Sequence, residues 1–233
     1  MTTETPLSPP LWRRALAELI GTGLLVTVVV GSGIAAQRLS PSDVGLQLLE
    51  NSLATTLGLA VLILLFASVS GSHFNPVVTL VDAALQPRVA RGGTVAAYLV
   101  AQVAGAIGGS LLANAMFGVA TAISTTERAD AGRLLGEVVA TAGLVLLIFA
   151  LVRTGRTALV APAVGAYIGA AYWFTSSTSF ANPAVTVGRI FTETFAGIAP
   201  GSAPWFVGAQ LVGGAIGFGL VLLLFPRGSL YRS

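Results

Sequence analysis

The sequence predicts an all-α membrane protein with six transmembrane helices plus two re-entrant half-helices, arranged as two inverted repeats. Three observations carry that prediction. Of 233 residues, 55% are hydrophobic and only 9% charged, against about 25% charged in an ordinary soluble domain. Six stretches are long and apolar enough to fill the roughly 20 residues a bilayer-spanning helix needs. Two Asn-Pro elements, each followed by an Ala-Gln/Gly element, recur at nearly one offset in the two halves.

The spans follow in order. Residues 15–37 carry one acid, Glu18; residues 51–81 and 92–126 carry no charge. Residues 134–152 carry Glu137 alone, and residues 157–188 and 194–226 are again free of charge. The stretches 51–81 and 157–188 exceed one span because each runs on into an Asn-Pro sequence. A cleavable signal peptide is the alternative for the first segment, since Arg13 and Arg14 precede an apolar run ending in Gly33-Ile34-Ala35-Ala36. The run is longer than a usual signal core and has a counterpart in the second half.

Sorting the arginines orients the chain. With both termini cytoplasmic, the inner face holds Arg13, Arg14, Arg88, Arg91, Arg153, Arg156, Arg227 and Arg232. Arg38, Arg128, Arg133 and Arg189 then lie outside, among Asp43, Glu50, Glu127, Asp130 and Glu193. The positive-inside rule favours that arrangement, and an even number of spans requires the termini to share a side. The expected location is a plasma membrane, the inner membrane of a bacterium.

The repeat is legible in three landmarks. Glu18 is followed by Gly71-Ser72-His73-Phe74-Asn75-Pro76-Val77 and then by Ala101-Gln102, Gly105 and Gly109. Glu137 is followed by Thr178-Ser179-Phe180-Ala181-Asn182-Pro183-Ala184 and then by Ala209-Gln210, Gly213 and Gly217. The offsets are 107 and 108 residues for the second and third landmarks. The halves are read as 1–126 and 127–233, together one channel domain. Three spans per half is an odd number, so the copies must be inverted, which puts a functional site near the midplane. The small residues four apart suit close approach of helix backbones in lipid.

Proline is well placed at the first helical position, where its missing N–H has no partner to lose. Asparagine before it is a strong N-cap. Asn75-Pro76 and Asn182-Pro183 therefore start short helices, 75–85 and 182–191, too short to cross. The fitting arrangement is a pair of half-helices entering from opposite faces with their N-termini together. Backbone at that depth is tolerated only where protein or a watery cavity covers it. Each N-terminus presents about half a positive charge, which opposes cations. The amides of Asn75 and Asn182, if they face a lumen, offer donors to a neutral hydroxylated molecule; alternatively both only cap their own backbone.

These motifs resemble the aquaporins and aquaglyceroporins of the major intrinsic protein family, from Glu18 through the last span. The resemblance implies six tilted helices, one pore per subunit, a homotetramer in membrane lipid, and passive passage of small neutral solutes. The motif residues are Asn75, Pro76 and Val77, with valine where alanine is usual, and Asn182, Pro183 and Ala184. By family pattern, His73 lines the cytoplasmic half of the pore, and Glu18 and Glu137 hold the re-entrant loops. Most members carry arginine directly after the second motif; this chain has Val185. The family's spacing puts the other filter positions at Thr55, Ala170 and Ser179, so the filter is expected to be wide and without charge. The stretch from Asn182 through Phe191-Thr192-Glu193-Thr194-Phe195-Ala196-Gly197-Ile198 looks like the bacterial aquaglyceroporins associated with arsenic resistance, which implies arsenite or methylated arsenicals beside water, glycerol and polyols.

Composition closes off other classes. All twelve basic residues are arginine, cysteine is absent and His73 is the single histidine. That leaves no disulfide framework, no thiolate or polyhistidine metal site, no P-loop or Schiff-base lysine, and no catalytic constellation, so neither metal nor cofactor nor enzyme activity is expected. Scattered arginine pairs do not make a nucleic-acid surface. Two rivals remain: an ion- or proton-coupled secondary transporter, for which Glu18, Glu137 and His73 are the only candidates, and a scaffold with a closed pore.

Overall fold

The computed structural model describes residues 9–87 and 92–226. Arg88, Arg91, Arg227 and Arg232, used to orient the chain, lie outside the described residues. Among the described residues, eight α-helices occur in the order α1 (Leu11–Leu39), α2 (Val44–Ser70), α3 (Pro76–Leu85), α4 (Gly92–Met116), α5 (Ala131–Arg153), α6 (Val160–Phe174), α7 (Pro183–Gly188) and α8 (Ala203–Leu224). Six are long and apolar enough to cross a membrane, α6 with the 3₁₀ turn 157–159 that leads into it. The remaining two, α3 and α7, are the short helices expected after the Asn-Pro pairs.

Local chemistry explains the boundaries. The Asp43 carboxylate accepts from Leu46 N and the Asp130 carboxylate from Arg133 N, capping α2 and α5. Gly71, at φ 88°, closes α2 in a left-handed turn. After six residues α7 tightens into a 3₁₀ turn, Arg189–Phe191. There α4 takes over its carbonyls: Ser110 Oγ donates to Gly188 O (2.7 Å) and Asn114 Nδ2 to Phe191 O (3.0 Å).

Two close helix pairs organise the bundle, α1 on α4 and α5 on α8. Small residues make both possible. A Cβ on Gly105 or Gly109 would lie 2.2 Å from Leu19 O or Gly23 O, and one on Gly213 or Gly217 would lie 2.5 or 2.6 Å from Val138 O or Ala142 O. Each glycine sits where a backbone carbonyl of the partner helix passes, so nothing larger than hydrogen fits. Helices in lipid gain no hydrophobic attraction for one another, and close packing of this kind supplies the association instead. The first helix is half-buried along its apolar window, an integral wall of the bundle.

Candidate functional site

The two loops that precede α3 and α7 are built alike. Ser72 and Phe74 in one, Ser179 and Ala181 in the other, take positive φ between 48° and 52°. Non-glycine residues enter that region at a cost of about 1 kcal/mol or more each, so something must hold them. Buried carboxylates do. Glu18 accepts from His73 N (3.0 Å), Phe74 N (2.7 Å) and Ser70 Oγ (2.6 Å). Glu137 accepts from Phe180 N (2.9 Å) and Ala181 N (2.8 Å). Gln102 Nε2 bridges Glu18 to Thr79 Oγ1, and Gln210 Nε2 bridges Glu137 to Thr186 Oγ1. In the sequence Gln102 and Gln210 stand only as landmarks of the repeat. A buried amide at matched points of two apolar segments was the available signal, because such groups are hydrogen-bonded.

Between the loops the two asparagines meet. Asn75 Oδ1 caps Val77 N, while its Nδ2 donates to Ala181 O at 2.7 Å. Asn182 Oδ1 caps Ala184 N and Val185 N, while its Nδ2 donates to Phe74 O, also at 2.7 Å. Each side chain is thus both cap and cross-link, and the two helix N-termini face one another. An amide nitrogen carries two hydrogens; the second on each has no protein partner among the described residues.

Both asparagines line one elongated cavity of about 510 Å³. At one end it is bounded by His73 and Asp82, whose Nε2 and Oδ2 are 4.0 Å apart. His73 Nδ1 and Thr79 Oγ1 are hydrogen-bonded at 3.1 Å, and Thr79 Oγ1 also lies 3.1 Å from Asn75 O.

At the other end the cavity is lined by Thr55, Tyr172, Ser179, Phe180, Val185 and Arg189. Thr55 Oγ1 and Tyr172 OH are hydrogen-bonded at 3.1 Å. Ala170 is not among the lining residues; it lies on the exposed face of α6. Two residues further along, Tyr172 points inward in its stead, because α6 presents Val164, Ile168 and Tyr172 to the cavity at helical spacing. Arg189 is also part of the wall. Its i, i+4 spacing from Val185 was the sequence signal for it.

Outside the spans, Arg128 clips the loop that follows α7. Its Nε donates to Gly197 O (2.6 Å) and its Nη2 to Phe195 O (2.9 Å). Burial, with Arg133 nearby, pushes its guanidinium down to about 10, so it remains charged at neutral pH.

A profile described as Major intrinsic protein matches residues 6–179. Aquaglyceroporin AqpS of Rhizobium meliloti (strain 1021) is 50% identical over 224 residues, covering 95% of this chain and 94% of that protein. The chain belongs to the major intrinsic protein family. Within it, this is a multi-pass membrane channel of aquaglyceroporin type for small neutral solutes, and not an enzyme. The propanediol uptake facilitator PduF of Citrobacter freundii is 35% identical over 112 residues, 48% of this chain and 40% of that protein. The X-ray structure of the aquaglyceroporin from Plasmodium falciparum superposes with a TM-score of 0.70 over 91% of this chain and 96% of that one, at 19% identity. That likeness establishes the shared fold.

Proposed function

We propose that this major intrinsic protein conducts water, glycerol and related polyols, and arsenite or methylated arsenicals, down their gradients through the cavity between His73 and Tyr172. One observation carries the reading: Asn75 and Asn182 line that cavity, each with one amide hydrogen fixed to the opposite loop and the other without a protein partner among the described residues. Two such donors replace part of the hydration a hydroxylated solute gives up. The facing helix N-termini oppose cations at the same point. Relatives bearing the names aquaglyceroporin and propanediol uptake facilitator favour small polyols. Arsenite, uncharged near neutral pH, resembles a polyol in size and hydroxyl count; without cysteine in the chain its passage rests on shape and neutrality.

In this reading Pro76, Val77, Pro183 and Ala184 start the half-helices, Thr55, Ser179 and Val185 belong to the outer filter, and His73 lines the cytoplasmic half. Glu18 and Glu137 hold the loops. Their carboxylates are engaged by loop N–H groups, which argues against a coupled transporter that must cycle protons on them. The halves 1–126 and 127–233 act as inverted repeats, both termini are cytoplasmic in a bacterial inner membrane, and four copies assemble. Stopped-flow light scattering on proteoliposomes, with water, glycerol, urea and arsenite compared, is the test. Flux of glycerol and arsenite without any ion or proton gradient supports the channel. Vesicles no more permeable than empty ones indicate a closed scaffold, and flux that requires a gradient indicates coupling.

A further inference from the structure

Arg189 stands one helical turn beyond Val185 and faces the same cavity. Its side chain is fixed in three ways. The guanidinium lies 3.4 Å over the Phe180 ring centroid, Nε donates to Ala196 O, and the residue is 3% exposed. Phe180 is itself held, its N–H by Glu137 and its ring against Phe206 at 5.1 Å. Among the described residues no carboxylate forms an ion pair with Arg189 and no hydrogen bond uses its Nη atoms. Those Nη atoms are also not among the fully enclosed polar atoms left without a partner. A guanidinium removed from water with no counter-ion is very costly. What remains to solvate it is the content of the cavity.

We infer that Arg189 supplies the fixed positive charge and the exposed donors of the outer constriction, taking from the next helical turn the place that Val185 leaves without charge. The constriction is then wide because position 185 is small, yet closed to cations because the charge stands just beyond. Arg128, whose guanidinium carbon is 5.6 Å from the same Phe180 ring, is absent from the cavity wall, and its donors serve Gly197 and Phe195. Thr55 and Tyr172, hydrogen-bonded to each other at 3.1 Å, are polar side chains beside Arg189 on the cavity wall.

The inference rests on the channel reading, and proteoliposomes separate the two. Glycerol flux reports the channel; K⁺ efflux, followed with an ion-selective electrode, reports the charge. Wild-type vesicles are expected to hold K⁺ as tightly as empty ones, and a K⁺ leak in the wild type overturns the inference. Arg189→Gln should raise the ratio of K⁺ efflux to glycerol flux at least about tenfold. Arg189→Lys, which keeps the charge, should remain tight, and Val185→Arg added to Arg189→Gln should restore exclusion. A merely structural role for Arg189 would move none of these K⁺ readings selectively. Glycerol flux retained with K⁺ efflux unchanged in Arg189→Gln overturns the inference. Should that variant not assemble, Arg189→Met, which removes the charge but keeps an unbranched stem against the Phe180 ring, takes its place; it should raise K⁺ efflux in the same way, and an unchanged efflux overturns the inference equally.

Discussion

Val77 and Gly214 fit as a pair: a Cβ on residue 214 would lie 2.4 Å from Val77 Cγ1. In the other half the corresponding positions hold Ala184 and Ala106, both fully buried. A larger residue on one half-helix is thus matched by glycine on the span beneath it, which accounts for valine in the first motif. Gly214→Ala is expected to destabilise by about 1–3 kcal/mol through overpacking. Adding Val77→Ala should recover most of that loss. Thermal unfolding of the four proteins of the cycle in detergent decides, and additive effects would break the pairing.

The two loop-holding acids should respond alike. In Glu18→Gln or Glu137→Gln, one oxygen that accepted a loop N–H becomes an NH₂ facing a donor. Each unpaired buried donor costs about 1–3 kcal/mol, and both loops carry left-handed residues that depend on these bonds. A lower melting temperature together with loss of glycerol flux is expected for either variant. Loss of flux with unchanged stability would instead point to proton coupling.

The correction from Ala170 to Tyr172 can be read in flux. Tyr172→Ala should widen the constriction and raise passage of a larger polyol such as erythritol relative to glycerol. Ala170→Phe, on the exposed face of α6, should leave that ratio unchanged. Val185→Arg should reduce the larger solutes more than water. Swelling assays across a solute series measure all three; a change in the ratio from Ala170→Phe would reverse the assignment.

Glycine tolerance should follow the carbonyl pattern. Gly109→Ala and Gly217→Ala, whose new methyls would meet Gly23 O and Ala142 O at 2.2 and 2.6 Å, should both block assembly or lower the melting temperature sharply. Gly108→Ala, with nothing within 4 Å of the added carbon, should be neutral or stabilise by up to about 1 kcal/mol through helix propensity. Yield and melting temperature of the folded protein provide the comparison.

The sequence by itself determined the number of spans, the two half-helices and the pairing of Glu18 with Glu137, because these depend on local chemistry. Length of apolar run, proline at a helix start, an asparagine cap and glycine every fourth residue act within a few residues of chain. It also located the motif residues that line the cavity, since a repeated Asn-Pro needs no knowledge of neighbours. Which side chains complete the wall was decided only by the tertiary structure. Ala170 and Tyr172 differ by two positions on one helix, about 200° of rotation, and only the packing of α6 in the bundle turns Tyr172 rather than Ala170 to the cavity. Arg189 reads in isolation as a surface charge on an outer loop. Only in the folded chain do Phe180, from the loop before the motif, and Ala196, from the loop after it, meet its guanidinium. Local sequence sets where helices begin; the rotation of each helix in the bundle, fixed by packing across long separations, sets which charges reach the pore.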